Sequence, residues 1–333
     1  METINFYCII PVYNGEKQVS SFFSTITKQT IFNQVIFIIV DDGSTDNTLS
    51  LLKNRFLGIE NVKILTKENG GAGSARNFGL KFISNLEQGL VTFIDFDDEI
   101  KTNFLETLKN LILENKVDAA ITSIKKCFDD SEIILVPNNI SNDSTLTNIE
   151  CGNLLVEEKI YPCSMGKIFK TNLWNNVFYD EFCSIGEDTP AIIEAVLNAK
   201  SILCSTYCGY YLDRKSHNES LTRGKTTNKK LLSFVHSQYV INEMLIRKQN
   251  SVTKQMLLSN ARIYSENFLG IILNISKPIS KQDKDELLML KKYFRKFILK
   301  QYKPTKNKEK CKKLIYEIFG YKFYLSLGKI LKK

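Results

Sequence analysis

Residues 1–125 alternate short apolar segments with amphipathic helical segments, and this alternation constrains the possible folds more than any other feature of the chain. Short runs that are rich in β-branched residues and bounded by polar turns predict buried strands at 6–10, 35–40, 62–65, 90–94 and 119–124. Between these runs, apolar residues at i, i+3, i+4 and i+7 predict amphipathic helices. The alternation predicts an α/β fold with a doubly wound, mostly parallel, Rossmann-like sheet and helices on both faces. Ligands of such sheets bind beyond the C-terminal ends of the strands.

The remainder of the chain is less regular. Residues 127–162 are polar and predict loops or an edge hairpin. A helix is predicted near 190–197 and a strand at 201–212. From residue 229 onward the pattern is helical and contains few turn residues, so we expect a C-terminal helical extension.

The formal net charge of +9 is unevenly distributed. Residues 301–333 contain ten lysines and two glutamates, which leaves the rest of the chain nearly neutral. A nearly neutral body argues against nucleic-acid binding. Apolar residues are interspersed with the lysines of 308–333. This tail is therefore expected either to bind an anionic membrane surface or to pack its apolar side on the protein.

The sequence also limits where the protein works. No run approaches the roughly 18 consecutive apolar residues of a membrane span, and the N-terminus lacks the pattern of a signal peptide. We expect a cytoplasmic protein, with the basic tail as one route to peripheral attachment on the inner face of the cell membrane. The eight cysteines are scattered without zinc-site spacing and predict free thiols in a reducing compartment.

Acidic residues follow the fourth predicted strand. Asp95, Asp97 and Asp98 lie within four residues of one another, and such carboxylates repel one another unless a cation binds. Hard divalent cations prefer oxygen ligands, and Mn²⁺ or Mg²⁺ at such a site would bridge the carboxylates to a diphosphate. The alternative is a polar turn with a helix cap, because the helix around Phe104 follows closely.

A second acidic pair, Asp41 and Asp42, follows the second predicted strand. A carboxylate at this place could accept hydrogen bonds from the base or the ribose of a nucleotide. The alternative is helix capping by residues 44–46. Capping by residues 44–46 does not explain why acids also occupy positions 41 and 42.

A glycine segment follows the third predicted strand. Its Gly71-Ala72-Gly73 resembles the start of a dinucleotide-binding fingerprint, but Arg76 occupies the last glycine position, and that fingerprint belongs after the first strand. Close backbone approach, a helix N-terminus and Arg76 suit an anionic group such as a diphosphate. The alternative is a flexible loop with a surface arginine.

Two later segments carry weaker patterns. Asp188 precedes a helix and is a candidate general base, or else a helix cap. The polar segment 211–223 contains Arg214, which could clamp a phosphate, and His217, which could ligate a metal ion. The alternative for His217 is an exposed histidine without a specific function.

Taken in order, these motifs resemble those of glycosyltransferase family 2. The chain carries IIPVYN at 9–14, VDDGSTD at 40–46, NxGxxxARN at 69–77, DxDD at 95–98 and ED at 187–188. The resemblance covers about residues 4–225 and implies a GT-A fold with an inverting single displacement from a UDP-sugar, with Mn²⁺ or Mg²⁺ as cofactor. It divides the chain into a catalytic domain at 1–225 and a mainly helical, basic region at 226–333.

The resemblance also implies roles for individual residues. Asp188 would be the catalytic base, and Asp42 would face the uracil. Asp97, Asp98 and His217 would hold the metal ion. The nucleotide sugar would be bound by Pro11, Tyr13, Asn14, Asp41, Asp42, Gly71, Arg76, Asp95, Asp97, Arg214 and His217.

The chain lacks the QxxRW motif and the membrane helices of processive family members. The resemblance therefore implies transfer of one hexose or N-acetylhexosamine to a saccharide or lipid-linked oligosaccharide acceptor, as in the synthesis of bacterial capsule or lipopolysaccharide. A nucleotidyltransferase is a weaker alternative. It would need a triphosphate-binding loop rich in glycine and basic residues after the first strand, and residues 11–15 are not of that type. A sugar-nucleotide-binding module without catalysis is another. The oligomeric state, including a homo-oligomer, is left open.

Overall fold

The structure is a computed structural model that describes residues 4–183, 185–213, 228–248, 252, 255–257, 259–260, 284–285 and 288. Within these residues the strands form one ten-stranded sheet. The strands are β1 (Asn5–Val12), β2 (Ile36–Asp41), β3 (Val62–Thr66), β4 (Gly89–Phe93), β5 (Glu99–Ile100), β6 (Ala119–Cys127), β7 (Glu132–Leu135), β8 (Ser144–Thr147), β9 (Lys167–Lys170) and β10 (Ser201–Asp213). All six strands predicted from the sequence are confirmed, as β1, β2, β3, β4, β6 and β10.

The strand order is β3-β2-β1-β4-β9-β6-β10-β5, with β7 paired to β6 and β8 paired to β10. The first four strands of this order run parallel, and β6 and β10 are also parallel. β9 lies antiparallel between β4 and β6 and joins the two parallel groups. The predicted mostly parallel, doubly wound sheet is therefore confirmed, and β9 is the insertion that the sequence pattern did not predict.

Helices cover both faces of the sheet. They are α1 (Val19–Thr27), α2 (Thr48–Arg55), α3 (Ala72–Ile83), α4 (Phe104–Asn115), α5 (Asn148–Val156), α6 (Asp188–Asn198) and α7 (Asn228–Arg247). Successive residues of β1 point to opposite faces, so Tyr7 and Ile9 enter one apolar core while Phe6, Cys8 and Ile10 enter the other. The first core also contains residues of α3, α5, α6 and α7, and the second contains residues of α1, α2 and α4.

The prediction of only loops or an edge hairpin for 127–162 is partly wrong. β7 does form a hairpin with β6, but α5 is a helix that the polar composition of this segment concealed. α5 begins with a capping box, in which the Thr147 side chain accepts the Glu150 N–H and the Glu150 carboxylate accepts the Thr147 N–H. Burial of Cys151 and Leu155 in the first core holds the helix in place.

The C-terminal part of the chain is described only in pieces. α7 agrees with the predicted onset of helical structure, whereas the basic tail at 301–333 lies outside the described residues, together with its predicted membrane contact. In the part that the structure describes, no helix has the length and apolar character needed to cross a membrane.

Candidate functional site

The C-terminal ends of β1, β2 and β4 meet at one edge of the sheet. Val12 at the end of β1 is in register with Asp41 at the end of β2, and the Val12 carbonyl accepts the Asp42 N–H at 2.8 Å. On the other side of β1, the Ile94 N–H donates to the Ile9 carbonyl at 3.2 Å. The loops that follow these strands therefore lie side by side, as expected for a ligand site in a parallel sheet.

Asp42 is buried, and its carboxylate organises the glycine segment. It accepts hydrogen bonds from Lys67 Nζ at 2.8 Å and from the N–H groups of Gly70 at 3.1 Å and Gly71 at 2.7 Å. Gly71 has a φ of +88°, a conformation that favours glycine, and α3 begins at the next residue. The expected contact of Asp42 with a nucleotide base stays a prediction. Lys67 was not predicted to be a site residue, although it follows β3 directly, just as Asp42 follows β2.

Asp41 is buried beside this loop, and one of its carboxylate oxygens lacks a partner. Oδ2 accepts hydrogen bonds from Thr66 Oγ1 at 3.2 Å and from the Ser44 N–H at 3.4 Å. Oδ1 is buried, and no described residue donates a hydrogen bond to it. An unsatisfied buried acceptor costs about 1–3 kcal/mol. Asp41 therefore retains an acceptor that a donor group of a ligand could use.

The loop after β1 is tied to the loop after β2 through Asn14. The Asn14 N–H donates to Ser44 Oγ at 2.9 Å, and its Oδ1 accepts the Thr45 N–H at 2.8 Å. Pro11 is still part of β1, whereas the Tyr13 side chain is 50% exposed. An exposed aromatic ring next to a strand end can stack on a planar ligand. The predicted nucleoside contacts of Pro11, Tyr13 and Asn14 stay predictions.

Arg76 is buried among three carboxylate side chains. Its Nη2 donates to Asp95 Oδ1 at 2.8 Å, and its Nη1 donates to Glu187 Oε1 at 3.1 Å and Asp188 Oδ1 at 3.0 Å. Burial alone would lower the pKa of Arg76, but the facing carboxylates, Asp188 first, hold it well above its usual value. The alternative of a surface arginine is wrong, because only 3% of this side chain is exposed. Its expected contact with the nucleotide stays a prediction.

The reach of Arg76 depends on how α3 packs against the segment around Tyr179. Asn77 Oδ1 accepts the Tyr179 N–H at 2.8 Å, and Asn77 Nδ2 donates to the Tyr179 carbonyl at 2.9 Å. A Cβ added at Gly73 would lie 3.2 Å from Glu187 Cγ and 3.2 Å from Tyr179 Cβ, so this glycine permits the close approach. The Arg76 guanidinium then lies 5.4 Å from the centre of the Tyr179 ring.

Asp188 is the first residue of α6 and has a second, neutral partner. Its Oδ1 accepts a hydrogen bond from Ser164 Oγ at 2.8 Å, and its Oδ2 accepts the Ser164 N–H at 3.3 Å. Ser164 Oγ also contacts the Tyr179 hydroxyl at 2.8 Å. The carboxylate is thus oriented from two sides, by Ser164 and by Arg76. Neither Ser164 nor Tyr179 was predicted from the sequence, because no recognisable motif surrounds them.

Glu187 precedes Asp188 and competes with it for Arg76. Burial, and then the negative charge of Asp188, raise the pKa of Glu187 from 4.5 to about 7, although Arg76 opposes this. Three carboxylates therefore share one arginine at this site. The structure brings Asp95, from the loop after β4, next to the two acids at the start of α6.

The aspartates after β4 differ in their surroundings. Asp98 is buried and accepts hydrogen bonds from the Tyr210 hydroxyl at 2.9 Å and from the Asp213 N–H at 3.0 Å. Asp95 and Asp97 are half-buried. Burial, followed by the charges of Asp95 and Asp97, raises the pKa of Asp98 well above its usual value. The predicted helix-cap alternative is wrong, because α4 is preceded by Asn103 and no side chain caps it.

These aspartates fit a hard divalent cation. Burial is the main cause of the raised pKa of Asp98, and the charges of Asp95 and Asp97 add a repulsion that a Mn²⁺ or Mg²⁺ ion would relieve. Asp95 and Asp97 are the more accessible oxygen donors, while both oxygens of Asp98 already accept hydrogen bonds. Direct ligation by Asp97 and Asp98 stays a prediction. Arg214 and His217 lie outside the described residues, so their predicted roles are not tested.

A sequence model of the family described as "Glycosyl transferase family 2" matches residues 7–178. The chain belongs to this family. The matched residues include every strand-end motif described above except the Glu187-Asp188 pair. The resemblance inferred from the ordered motifs is therefore confirmed.

Three relatives of this family member have names that refer to teichoic acid or to poly(ribitol-phosphate). It is 29% identical over 225 residues to the poly(ribitol-phosphate) beta-N-acetylglucosaminyltransferase TarS of Staphylococcus aureus (strain MW2), covering 66% of this chain and 37% of that protein. It is 27% identical over 301 residues to TarP of Staphylococcus aureus (strain N315), of the same described activity, covering 83% of this chain and 89% of that protein. It is 26% identical to the minor teichoic acid biosynthesis protein GgaB of Bacillus subtilis (strain 168), covering 86% of this chain and 31% of that protein.

The same fold occurs in a solved structure. The crystal structure of S. aureus TarS 1–349 in complex with UDP-GlcNAc superposes with a TM-score of 0.65 at 22% identity, covering 87% of this chain and 80% of that one. The GT-A fold predicted from the sequence is confirmed. The chain spans only about a third of the length of the GgaB and TarS proteins, 31% and 37%.

Proposed function

We propose that this protein transfers one hexose or N-acetylhexosamine from a UDP-sugar to an acceptor chain of a bacterial surface polymer. The observation that carries the proposal is the cluster around Arg76, where an acid of the DxDD segment lies next to the Glu187-Asp188 pair. The names of TarS and TarP favour a poly(ribitol-phosphate) type of acceptor and a UDP-GlcNAc type of donor. Because the acceptor in those names is a polyol-phosphate chain, it replaces capsule or lipopolysaccharide as our first choice.

The donor would lie along the strand ends. The unpartnered Oδ1 of Asp41 and the exposed ring of Tyr13 support a nucleoside pocket between the loops after β1 and β2. Asp42 would act there through the glycine segment, whose shape it holds with its contacts to Gly70 and Gly71. The N-terminus of α3 begins directly after this segment and favours a negative group nearby.

A divalent cation would be held by Asp95 and Asp97, with Asp98 behind them, and would neutralise the charge that develops on the departing diphosphate. Asp98 keeps this segment in place through Tyr210, whose hydroxyl also accepts the Asp95 N–H at 2.9 Å. Arg76 fixes the side chain of Asp95 from the opposite side.

Asp188 would be the base that accepts the proton of the acceptor hydroxyl. As the acceptor oxygen loses its proton, it attacks the anomeric carbon, and the bond from that carbon to the diphosphate breaks. This displacement inverts the configuration of the anomeric carbon. Arg76 Nη1 donates to Asp188 Oδ1, and Ser164 fixes the orientation of the carboxylate. Oδ2 carries only the longer Ser164 N–H contact among the described residues, so it is the oxygen better placed to take the proton.

The test is transfer from UDP-GlcNAc and UDP-glucose to poly(ribitol phosphate), with Mn²⁺ or with EDTA. We expect activity to require the metal ion and to fall about 10²–10⁴-fold in Asp188→Asn, the range for loss of a general base. UDP binding measured by calorimetry should survive in Asp188→Asn and weaken in Asp97→Asn. Glu114→Gln, a change on the exposed face of α4, is the control for both assays.

Two results would contradict the proposal. Undiminished transfer by Asp188→Asn would remove the base from the mechanism. Failure of the wild-type protein to bind UDP in the presence of Mn²⁺ would favour a module without glycosyl transfer.

A further inference from the structure

A second cluster of ligand-type side chains lies between the segment before α6 and the helix α7. Asp180, Cys183 and His236 each place one ligand atom within 4.8 Å of the others. His236 Nε2 lies 3.1 Å from Asp180 Oδ2. None of these residues belongs to a family motif described above, and none was singled out by the sequence, because Cys183 and His236 are too far apart to resemble a zinc-site pattern.

The donor set suits a borderline-soft divalent cation. Cysteine thiolates, histidine imidazoles and aspartate carboxylates are all zinc ligands, with the ligand atoms about 2.0–2.3 Å from the metal. Tetrahedral ligands at those distances stand about 3–4 Å apart, which matches the contact between His236 and Asp180. A thiolate and an imidazole together select zinc over Mn²⁺ or Mg²⁺, which prefer oxygen. This cluster therefore differs in chemistry from the aspartates after β4.

The side chains of this cluster are held in place by their surroundings. The ring of Phe182 is stacked on the His236 imidazole at 6.0 Å between centres, which limits its rotation. Cys183 is 6% exposed and is not in a disulfide.

We propose that Asp180, Cys183 and His236 bind one Zn²⁺ ion, with water in the fourth position. The ion would join α7 to the segment that leads into α6. Hydrogen bonds already connect the two: the Ile185 N–H donates to Ser233 Oγ at 3.0 Å, and Ser237 Oγ donates to the Gly186 carbonyl at 2.6 Å. The proposed ion would hold these two segments together, and its binding does not depend on the proposed sugar transfer.

The first measurement uses the full chain after removal of metal ions by a chelator. Zn²⁺ is titrated by calorimetry, and Co²⁺ is titrated by absorption, because a cobalt–thiolate bond gives a charge-transfer band in the near ultraviolet. We expect one equivalent of Zn²⁺ to bind and the Co²⁺ complex to show that band. Cys183→Ser should abolish the band, and His236→Gln should weaken Zn²⁺ binding at least about tenfold.

Two controls separate this site from others. Cys208→Ser removes a half-buried thiol elsewhere and should leave the band unchanged. Asp97→Asn removes a predicted donor of the other metal site and should leave Zn²⁺ binding unchanged. Zn²⁺ should also slow alkylation of Cys183 in the wild-type protein, read by peptide mass spectrometry, and this measurement needs no variant that might misfold. Absence of the cobalt–thiolate band, or alkylation of Cys183 at the same rate with and without Zn²⁺, overturns the proposal.

Discussion

Replacing Glu187 with glutamine should remove a defined part of the pH dependence of stability. The pKa of Glu187 is raised from 4.5 to about 7 in the folded protein, first by burial and then by the charge of Asp188. The folded state therefore holds this proton more tightly than the unfolded chain does. The resulting contribution to stability is complete below pH ~4.5 and is lost as the pH rises through ~7. At about 1.4 kcal/mol per pKa unit, the loss amounts to about 3 kcal/mol.

The assay is urea unfolding of the wild-type protein and of Glu187→Gln at pH values between about 4 and 8. As the pH rises over this interval, the free energy of unfolding of the wild-type protein should fall by about 3 kcal/mol more than that of Glu187→Gln. Asp98, whose pKa is also raised, contributes equally to both proteins and cancels in the comparison. Glu114→Gln, which changes an exposed glutamate of α4, should retain the wild-type dependence.

The reasoning is refuted if Glu187→Gln loses as much stability across this interval as the wild-type protein. Glu187 would then ionise as an ordinary exposed acid, and the crowding of carboxylates around Arg76 would be relieved in solution. A uniform loss of stability at every pH would have a different meaning. That loss would reflect the weakened hydrogen bond from Arg76 to residue 187, which is 3.1 Å long in the wild-type protein, and not the raised pKa of Glu187.

Three further substitutions test the packing, the capping and the charge cluster. Gly79→Ala places a Cβ 2.7 Å from Ile9 Cγ2 where α3 crosses β1, so urea unfolding should show a loss of about 1–3 kcal/mol, whereas a stability gain would show that α3 can shift away. Thr147→Ala removes the side chain that accepts the Glu150 N–H at the start of α5 and should cost about 1 kcal/mol, with Thr147→Ser restoring most of it; equal stability of all three proteins would count against the cap. Arg76→Lys keeps the charge but loses the planar fork that reaches three carboxylates. It should lower kcat about 10–100-fold with little change in KM for the UDP-sugar, and a rise in KM alone would assign Arg76 to donor binding instead.

Much of the fold was predictable because the pattern of the sequence is local. The strands from β1 to β4 are short apolar runs bounded by polar turns, and burial on both faces of a parallel sheet requires that composition. β9 was not predictable in the same way. It has four residues, Lys167–Lys170, and its place between β4 and β6 comes from antiparallel pairing with distant partners.

α5 is an intermediate case. Its capping box at Thr147 and Glu150 is written in the sequence and could have been recognised. The polar residues on either side of the helix outweighed that pattern. What makes α5 a helix in the protein is its contact with α6 and its burial in the first core.

The sequence by itself determined the family and the edge of the sheet where the acids lie, because the ends of parallel strands must meet at one side whatever the packing of the helices. Only the tertiary structure decided which charges face each other. Arg76 contacts Glu187 and Asp188 across 111 and 112 residues of chain, and His236 contacts Asp180 across 56. Such pairs form where separate elements pack together, and no local pattern records that packing. The structure accordingly excluded the alternative of a surface arginine, because three acids hold the buried Arg76 between the DxDD segment and the predicted base.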